Sequence, residues 1–247
     1  MGESSPVGVS YGAGVNSTAL VIELCWRGWR GPIIFSDTGA EHDDTYRYLD
    51  TFDAWLSREF GMMIVRIGGE YRSARYRMSL IRAMDEYRQL PFPGARWCTR
   101  EYKIIPLQRY CGANGIEFDS LAVGIAADES HRQPGKIRPL VDWGMTRDDC
   151  ARTIASAGLP IPRRSGCWCC PFQTVAQWRE LWETNRAKYI WLSWLERQAS
   201  FAAGRTVTLR PDGDSLFTLA NKFVSGQPEP FDMSEFYRPC MCRTYGG

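Results

Sequence analysis

The sequence predicts an α/β fold, a doubly wound and mostly parallel sheet followed by a helical, cysteine-rich C-terminal part. Three observations carry this. Short apolar runs alternate with amphipathic stretches through the first third of the chain, the pattern of strands joined by helical crossovers. Glycine-containing turns follow the apolar runs, where ligands of open parallel sheets sit. After residue 160 the strand signals stop, and cysteine and tryptophan accumulate.

Val7 to Val9 reads as the end of a buried strand, and Ala19 to Trp26 as an apolar helix. Between them lies Ser10-Tyr11-Gly12-Ala13-Gly14-Val15-Asn16-Ser17-Thr18. Gly12 and Gly14 let an anion approach the backbone, and Asn16, Ser17 and Thr18 place polar side chains at a helix start, where amides lack partners. Such a turn can hold phosphate or sulfate. Neither a P-loop Lys-Ser/Thr nor the G-x-G-x-x-G spacing is present, so a plain strand-to-helix turn stays open at this point.

Ile33 to Phe35 gives a second strand, ending at Ser36-Asp37-Thr38-Gly39 and facing the same crevice. Asp37 is placed there to bind Mg²⁺ or an adenosine hydroxyl. Asp44 to Phe60 reads as a helix with Tyr48, Phe52, Trp55 and Leu56 on one stripe, and Met62 to Ile67 as a third strand. Residues 68–96 break the alternation. Their arginines and tyrosines fit either a lid that meets phosphates and bases or a solvated helical insertion with aromatic stems packed below. A helix is expected over Thr99–Tyr110 with a kink or boundary at Pro106, a strand over Phe118–Val123, and a helix from Arg147 to Ala157 capped by Thr146. Gly158 to Pro162 ends it, giving a nucleotide-binding domain over 1–160 and a helical segment with the cysteine cluster over 161–247. Trp178, Leu181 and Trp182 share a helical face, more in keeping with a core than with a ligand platform. The histidines, His42 and His131, fit hydrogen-bonding roles better than catalysis.

The chain has 247 residues, nine cysteines and a formal net charge of +2, so it is no polycation, and nucleic-acid binding would need a local patch. No secretory apolar region opens it, and no run approaches the roughly 20 residues that span a bilayer. The expected location is the cytoplasm, where thiols stay reduced and cysteines serve as metal ligands or reactive thiols. Cys167 and Cys170 have the C-x-x-C spacing for one metal or cluster. Cys25, Cys111 and Cys150 read as buried small hydrophobes.

Five ordered stretches resemble the phosphoadenosine phosphosulfate (PAPS) reductase branch of the PP-loop, or adenine nucleotide alpha hydrolase, superfamily. Gly12-Ala13-Gly14-Val15-Asn16-Ser17 stands for the pyrophosphate-binding loop. Phe35 to Glu41 with Thr45-Tyr46 resembles D-T-G-x-E…T-Y. Trp97-Cys98-Thr99 through Lys103-Ile104-Ile105-Pro106-Leu107 resembles C-T/C…K-x-x-P-L. Gly124 to Arg132 with Arg138-Pro139-Leu140 resembles G-I-R-x-D-E-S…R…P-L, and Gly166 to Phe172 the G-C-x-x-C-P-F of iron–sulfur members, including DNA phosphorothioation and phage-encoded enzymes.

The resemblance implies a Rossmann-like fold that binds ATP or PAPS with Mg²⁺, using Ser10, Tyr11, Gly12, Ala13, Gly14, Asn16, Ser17, Thr18, Asp37, Thr38, Gly39, Glu41, Gly124 and Arg138. Asp37, Lys103 and Arg132 are the candidate catalytic residues. Cys98, Cys167, Cys170 and Cys240 would ligate a [4Fe–4S] cluster, with zinc as the alternative and Cys169 or Cys242 as substitutes. The implied activity is ATP-dependent sulfur transfer to a nucleic-acid or nucleotide acceptor, adenylylated with pyrophosphate release. PAPS or adenylyl sulfate reduction, and a non-catalytic accessory role in DNA modification, are the alternatives. Expected partners are an adenine nucleotide, a nucleic-acid acceptor, a cysteine desulfurase-type sulfur donor or thioredoxin, and a second copy in a homodimer, with no membrane. Three departures bear on this: Asn16 replaces an aspartate, Ala126 replaces an arginine, and Pro239-Cys240-Met241-Cys242-Arg243 lacks the glycine and histidine of the reductases' C-terminal motif.

Overall fold

The computed structural model describes residues 6–92, 96–132 and 136–225. Four parallel strands, β1 (Gly8–Ser10), β2 (Ile33–Ser36), β3 (Ile64–Ile67) and β4 (Leu121–Val123), lie in the order β3-β2-β1-β4. Val9 pairs with Ile33 on one side and Ala122 on the other. The first three strands step outward from β1, and β4 then returns to its free side. The chain therefore reverses direction across the sheet between β1 and β4, which opens a crevice at their carboxyl ends.

Helix α1 (Val15–Trp26) is apolar on nearly all sides because it is sandwiched, the sheet on one face and α7 (Arg147–Ser156) on the other. Thr153 Oγ1 donates to Glu23 Oε1 at 3.0 Å across that contact. Helix α2 (Asp43–Phe60) buries the Tyr48, Leu49, Phe52, Trp55 and Leu56 stripe and ends at Gly61 in the left-handed region. Trp55 Nε1 donates to the Ala157 carbonyl at 3.2 Å, tying α2 to the end of α7.

Residues 68–92 form two 3₁₀ turns and α3 (Leu80–Tyr87). The aromatic stems pack inward, Tyr76 stacking on Trp97 at 5.4 Å. Arg72 is also buried, donating to the carbonyls of Met78 and Asp37. The helix expected over Thr99–Tyr110 is instead a short α4 (Trp97–Thr99), a π-helical turn over Arg100–Ile104 and α5 (Ile105–Ala113). Pro106 marks a boundary and not a kink, falling in the first turn of α5, where its missing N–H costs nothing. The strand expected from Phe118 shortens to Leu121–Val123, with Phe118–Ser120 a 3₁₀ turn. A helical turn, α6 (Pro139–Asp142), leads to α7, where Thr146 Oγ1 accepts from the Asp149 amide as an N-cap.

Helices α8 (Val175–Thr184), α9 (Arg186–Ala203) and α10 (Leu216–Val224) close the described chain. Their core holds Trp178, Tyr189, Leu192 and Leu195, and it is shared with Ala40, Tyr76, Leu80, Met84 and Tyr102 from before residue 160. The sheet, α1, α2 and α7 enclose a separate core. Among the described residues no helix is long and apolar enough to cross a membrane.

Candidate active site

A cleft of about 210 Å³ opens at the carboxyl ends of β1 and β4. The glycine loop forms one wall. The N–H groups of Gly12 and Gly14 converge on Ser17 Oγ, at 3.3 and 3.2 Å, which marks the point a phosphate oxygen would take. Ala13 sits in the left-handed region at φ 53°, a conformation glycine adopts more easily. Gly14 lies close to the cysteine segment: a Cβ there would lie 2.9 Å from Ser165 Oγ. At Gly124 it would lie 2.5 Å from the Ser17 backbone. Gly124 thus lets β4 close against the loop, in addition to lining the cleft.

Behind the loop lies a buried polar relay. Asn16 Nδ2 donates to Glu129 Oε2 at 2.9 Å, Arg147 Nη1 donates to Asn16 Oδ1 at 3.2 Å, and Arg132 Nη1 donates to Glu129 Oε1 at 2.9 Å. Asn16 is 6% exposed and Glu129 9%, so these bonds act where solvent competes little. Lys103, Lys136 and Arg164 complete the basic lining. Phe35, Ile104, Leu107, Phe118, Leu121 and Val123 supply an apolar part. Phosphate-holding amides and cations beside an apolar wall are what a nucleotide's two ends require.

Of the residues expected at the site, Ser10, Tyr11, Gly12, Gly14, Asn16, Ser17, Lys103, Gly124 and Arg132 line the cleft. Ala13, Thr18, Asp37, Thr38, Gly39, Glu41 and Arg138 do not. Thr18 Oγ1 bonds the Tyr11 hydroxyl at 3.1 Å, under the loop. Asp37 Oδ1 accepts from the Gly39 amide at 2.8 Å and from the Tyr46 hydroxyl at 2.7 Å, fixing its own turn. Arg138 donates to the carbonyls of Ser130 and Arg132 and so pins the loop that carries Arg132. The sequence reading missed Lys136, Arg147, Arg164 and Ser165 as site residues. Arg147 was seen only as a helix start, and nothing in its local pattern shows that α7 aims it at Asn16.

The cysteine segment docks against the loop after β2, with Arg164 and Ser165 at its start lining the cleft. Glu41 bridges Cys167, the His42 amide donates to the Gly166 carbonyl at 2.9 Å, and the Trp168 amide donates to the Ala40 carbonyl at 3.0 Å. Thr38 Oγ1 lies 3.2 Å and Glu41 Oε1 3.5 Å from Cys167 Sγ. Glu41 also sits 3.9 Å from Lys103 Nζ, which connects the cysteine loop to the cleft wall. Burial, and then the nearby Cys167, push the Cys98 thiol up to about 11. Cys169 is fully buried, and its bond to Cys167, with burial, raises its thiol well above the usual range. Among the described residues no group of three or more His, Cys, Asp or Glu side chains is arranged to hold a metal ion. Cys240 and Cys242 lie outside the described residues. Cys25, Cys111 and Cys150 are buried in the cores, as their apolar surroundings required.

No family model matches the chain. Over 135 residues, 54% of its length, it is 30% identical to an uncharacterised protein of Methanocaldococcus jannaschii, and it spans about a quarter, 25%, of that relative. Among solved structures it is similar to phosphoadenylyl-sulfate (PAPS) reductase from Candida auris in a phosphate complex. That match has a TM-score of 0.45 and 16% identity, covering 64% of this chain and 75% of that one.

Proposed function

We propose that this chain is a PP-loop enzyme of sulfur chemistry, binding an adenine nucleotide in the β1/β4 cleft and acting on it beside the cysteine loop. The observation that carries this reading is that the two loops meet: Ser165, two residues before Cys167, lines the same cleft as Gly12 and Gly14. The Gly12–Ser17 amides and the side chains of Arg132 and Arg147 would take the phosphates, and the apolar wall near Phe35 and Leu107 would take the base. Charge that develops on a phosphoryl or sulfuryl oxygen would then be met by donors already fixed in place, the main source of rate in such sites.

In the sulfur-transfer version, an acceptor oxygen attacks the α-phosphorus, the α–β bridging bond breaks and pyrophosphate leaves with the electron pair. The outer sulfur of a donor protein's persulfide then attacks the acceptor carbon, the C–O bond to AMP breaks with its electron pair, and a second thiol cleaves the acceptor–S–S linkage, leaving the thio product and a disulfide. Lys103 and Arg132 are the cations positioned to neutralise this charge. Cys98, Cys167 and Cys170, with Cys240, are sulfur donors of the type that would hold an iron–sulfur cluster or zinc if brought together and deprotonated. A cluster there would supply sulfide or electrons. In the reductive version, the ligand is an adenylyl sulfate: a thiolate attacks its sulfur, the S–O bond to the nucleotide phosphate breaks and the nucleotide leaves with the electron pair, and thioredoxin reduces the resulting thiosulfonate to release sulfite.

Calorimetry with ATP, adenosine 5′-phosphosulfate and PAPS, run on wild type and Ser17→Ala, tests the cleft. At least one of the three is expected to bind, with a tenfold or greater loss in the variant. No binding of any of the three, or an unchanged affinity in Ser17→Ala, overturns the assignment. Metal and acid-labile sulfide analysis of anaerobically purified wild type and Cys167→Ser distinguishes cluster from zinc. Pyrophosphate release with ATP distinguishes transfer from reduction.

A further inference from the structure

The charge arrangement of the cleft bears on how it takes an anion, an inference that rests on the nucleotide reading above. Mg²⁺ at nucleotide sites is held by one or two carboxylates together with the substrate's phosphates, and it demands hard oxygen ligands in near-octahedral geometry. Among the described residues Glu129 is the one carboxylate lining the cleft, against Lys103, Arg132, Lys136, Arg147 and Arg164. Both of its oxygens are engaged, Oε1 by Arg132 and Oε2 by the Asn16 amide. Asp37, the carboxylate expected to hold the metal, does not line the cleft and spends Oδ1 on Gly39 and Tyr46. The donor set does not fit Mg²⁺.

It fits a direct anion site. We infer that Asn16 and Glu129 are positioning residues that hold Arg132 and Arg147 as a guanidinium pair for the phosphate or sulfate end of a nucleotide, so that binding needs no divalent cation. Asn16 suits this role because its amide has both faces: Nδ2 donates to Glu129 while Oδ1 accepts from Arg147. An aspartate at the same place would set a carboxylate oxygen 2.9 Å from Glu129 Oε2, and that pair would either share a proton or recruit a cation. The neutral amide removes that need and links Glu129 to Arg147, and Glu129 in turn orients Arg132. Guanidinium forks match the oxygen geometry of phosphate and sulfate.

The test is calorimetry of ATP, adenosine 5′-phosphosulfate and PAPS in EDTA and in millimolar Mg²⁺, on wild type, Asn16→Asp and Asn16→Ala. For the nucleotide that binds wild type, the expected affinity in EDTA is within threefold of that in Mg²⁺. Asn16→Asp should weaken binding tenfold or more in EDTA and recover part of it with Mg²⁺. Asn16→Ala should weaken binding equally in both, a difference between variants that a merely structural role for Asn16 would not produce. Wild-type binding only in Mg²⁺, or an Asn16→Asp variant as tight as wild type in EDTA, overturns the inference while leaving the nucleotide reading intact. Absence of binding in both buffers overturns the nucleotide reading, and this inference with it.

Discussion

The phosphate-loop region and the C-terminal helices are held together by different means. Around the loop, stability and chemistry share the same atoms. Gly124 lets two backbones touch, and the Asn16–Glu129–Arg132–Arg147 relay packs the loop with the same side chains that the proposed function assigns to the phosphates. In the helical part they are separate. Trp178, Tyr189 and Leu195 fill a core that carries none of the cleft's cations, and Trp168 and Cys169 of the cysteine loop are anchored in it. A change in the first region should therefore alter binding and stability together, and a change in the second should alter stability alone.

The largest expected effect breaks the second region. Trp178 is 1% exposed, so Trp178→Ala should cost about 3–5 kcal/mol, as other large-to-small aromatic truncations do. Chemical denaturation measures this. Nucleotide affinity, measured where the variant is still folded, should stay within threefold; a tenfold loss would join the regions that the comparison separates.

Next is a pH effect confined to the helices. Glu196, 2% exposed on α9, accepts from the amides of Leu209 and Leu216 at 2.7 Å each and so clamps the loop before α10. Burial raises its carboxyl from 4.5 to about 7. The fold thus holds this proton more tightly than the unfolded chain does. Its contribution is complete below about pH 4.5 and declines as pH rises through about 7, by on the order of 3 kcal/mol in all. Melting temperature should fall over that interval, and Glu196→Gln should flatten the slope. A variant with an unchanged slope would assign the titration to another group.

The smallest stability effect should carry the largest functional one. Gly124→Ala places a methyl carbon 2.5 Å from the Ser17 backbone, an overpacking that costs about 1–3 kcal/mol. Because that backbone is the phosphate loop, nucleotide affinity should fall more than tenfold. Lost stability with wild-type affinity would mean that the loop tolerates displacement and that loop and site are separable after all.

The legible part of this protein was its local part. Alternating apolar runs placed β1, β2 and β3, the glycines marked the turn after β1, and the Tyr48–Leu56 stripe placed α2, because strands and helices expose their period in any short window. The helix from Thr99 and the boundary near Pro106 were legible, but local sequence does not distinguish the π turn over Arg100–Ile104 from an α turn. Asp37 was expected at the cleft because it ends a strand, yet the turn it closes uses its carboxylate for Gly39 and Tyr46.

By itself, then, the sequence determined the parallel α/β layering, the glycine loop after β1 and the existence of a cysteine loop. Each rests on residues adjacent in the chain, where backbone sterics and hydrophobic period act directly. Only the tertiary structure decided that Arg147, 131 residues from Asn16, completes the cleft, and that Ser165 brings the cysteine loop to Gly14. Those contacts depend on how α7 packs on α1 and on the closeness of two backbones, and both are properties of the whole packed chain.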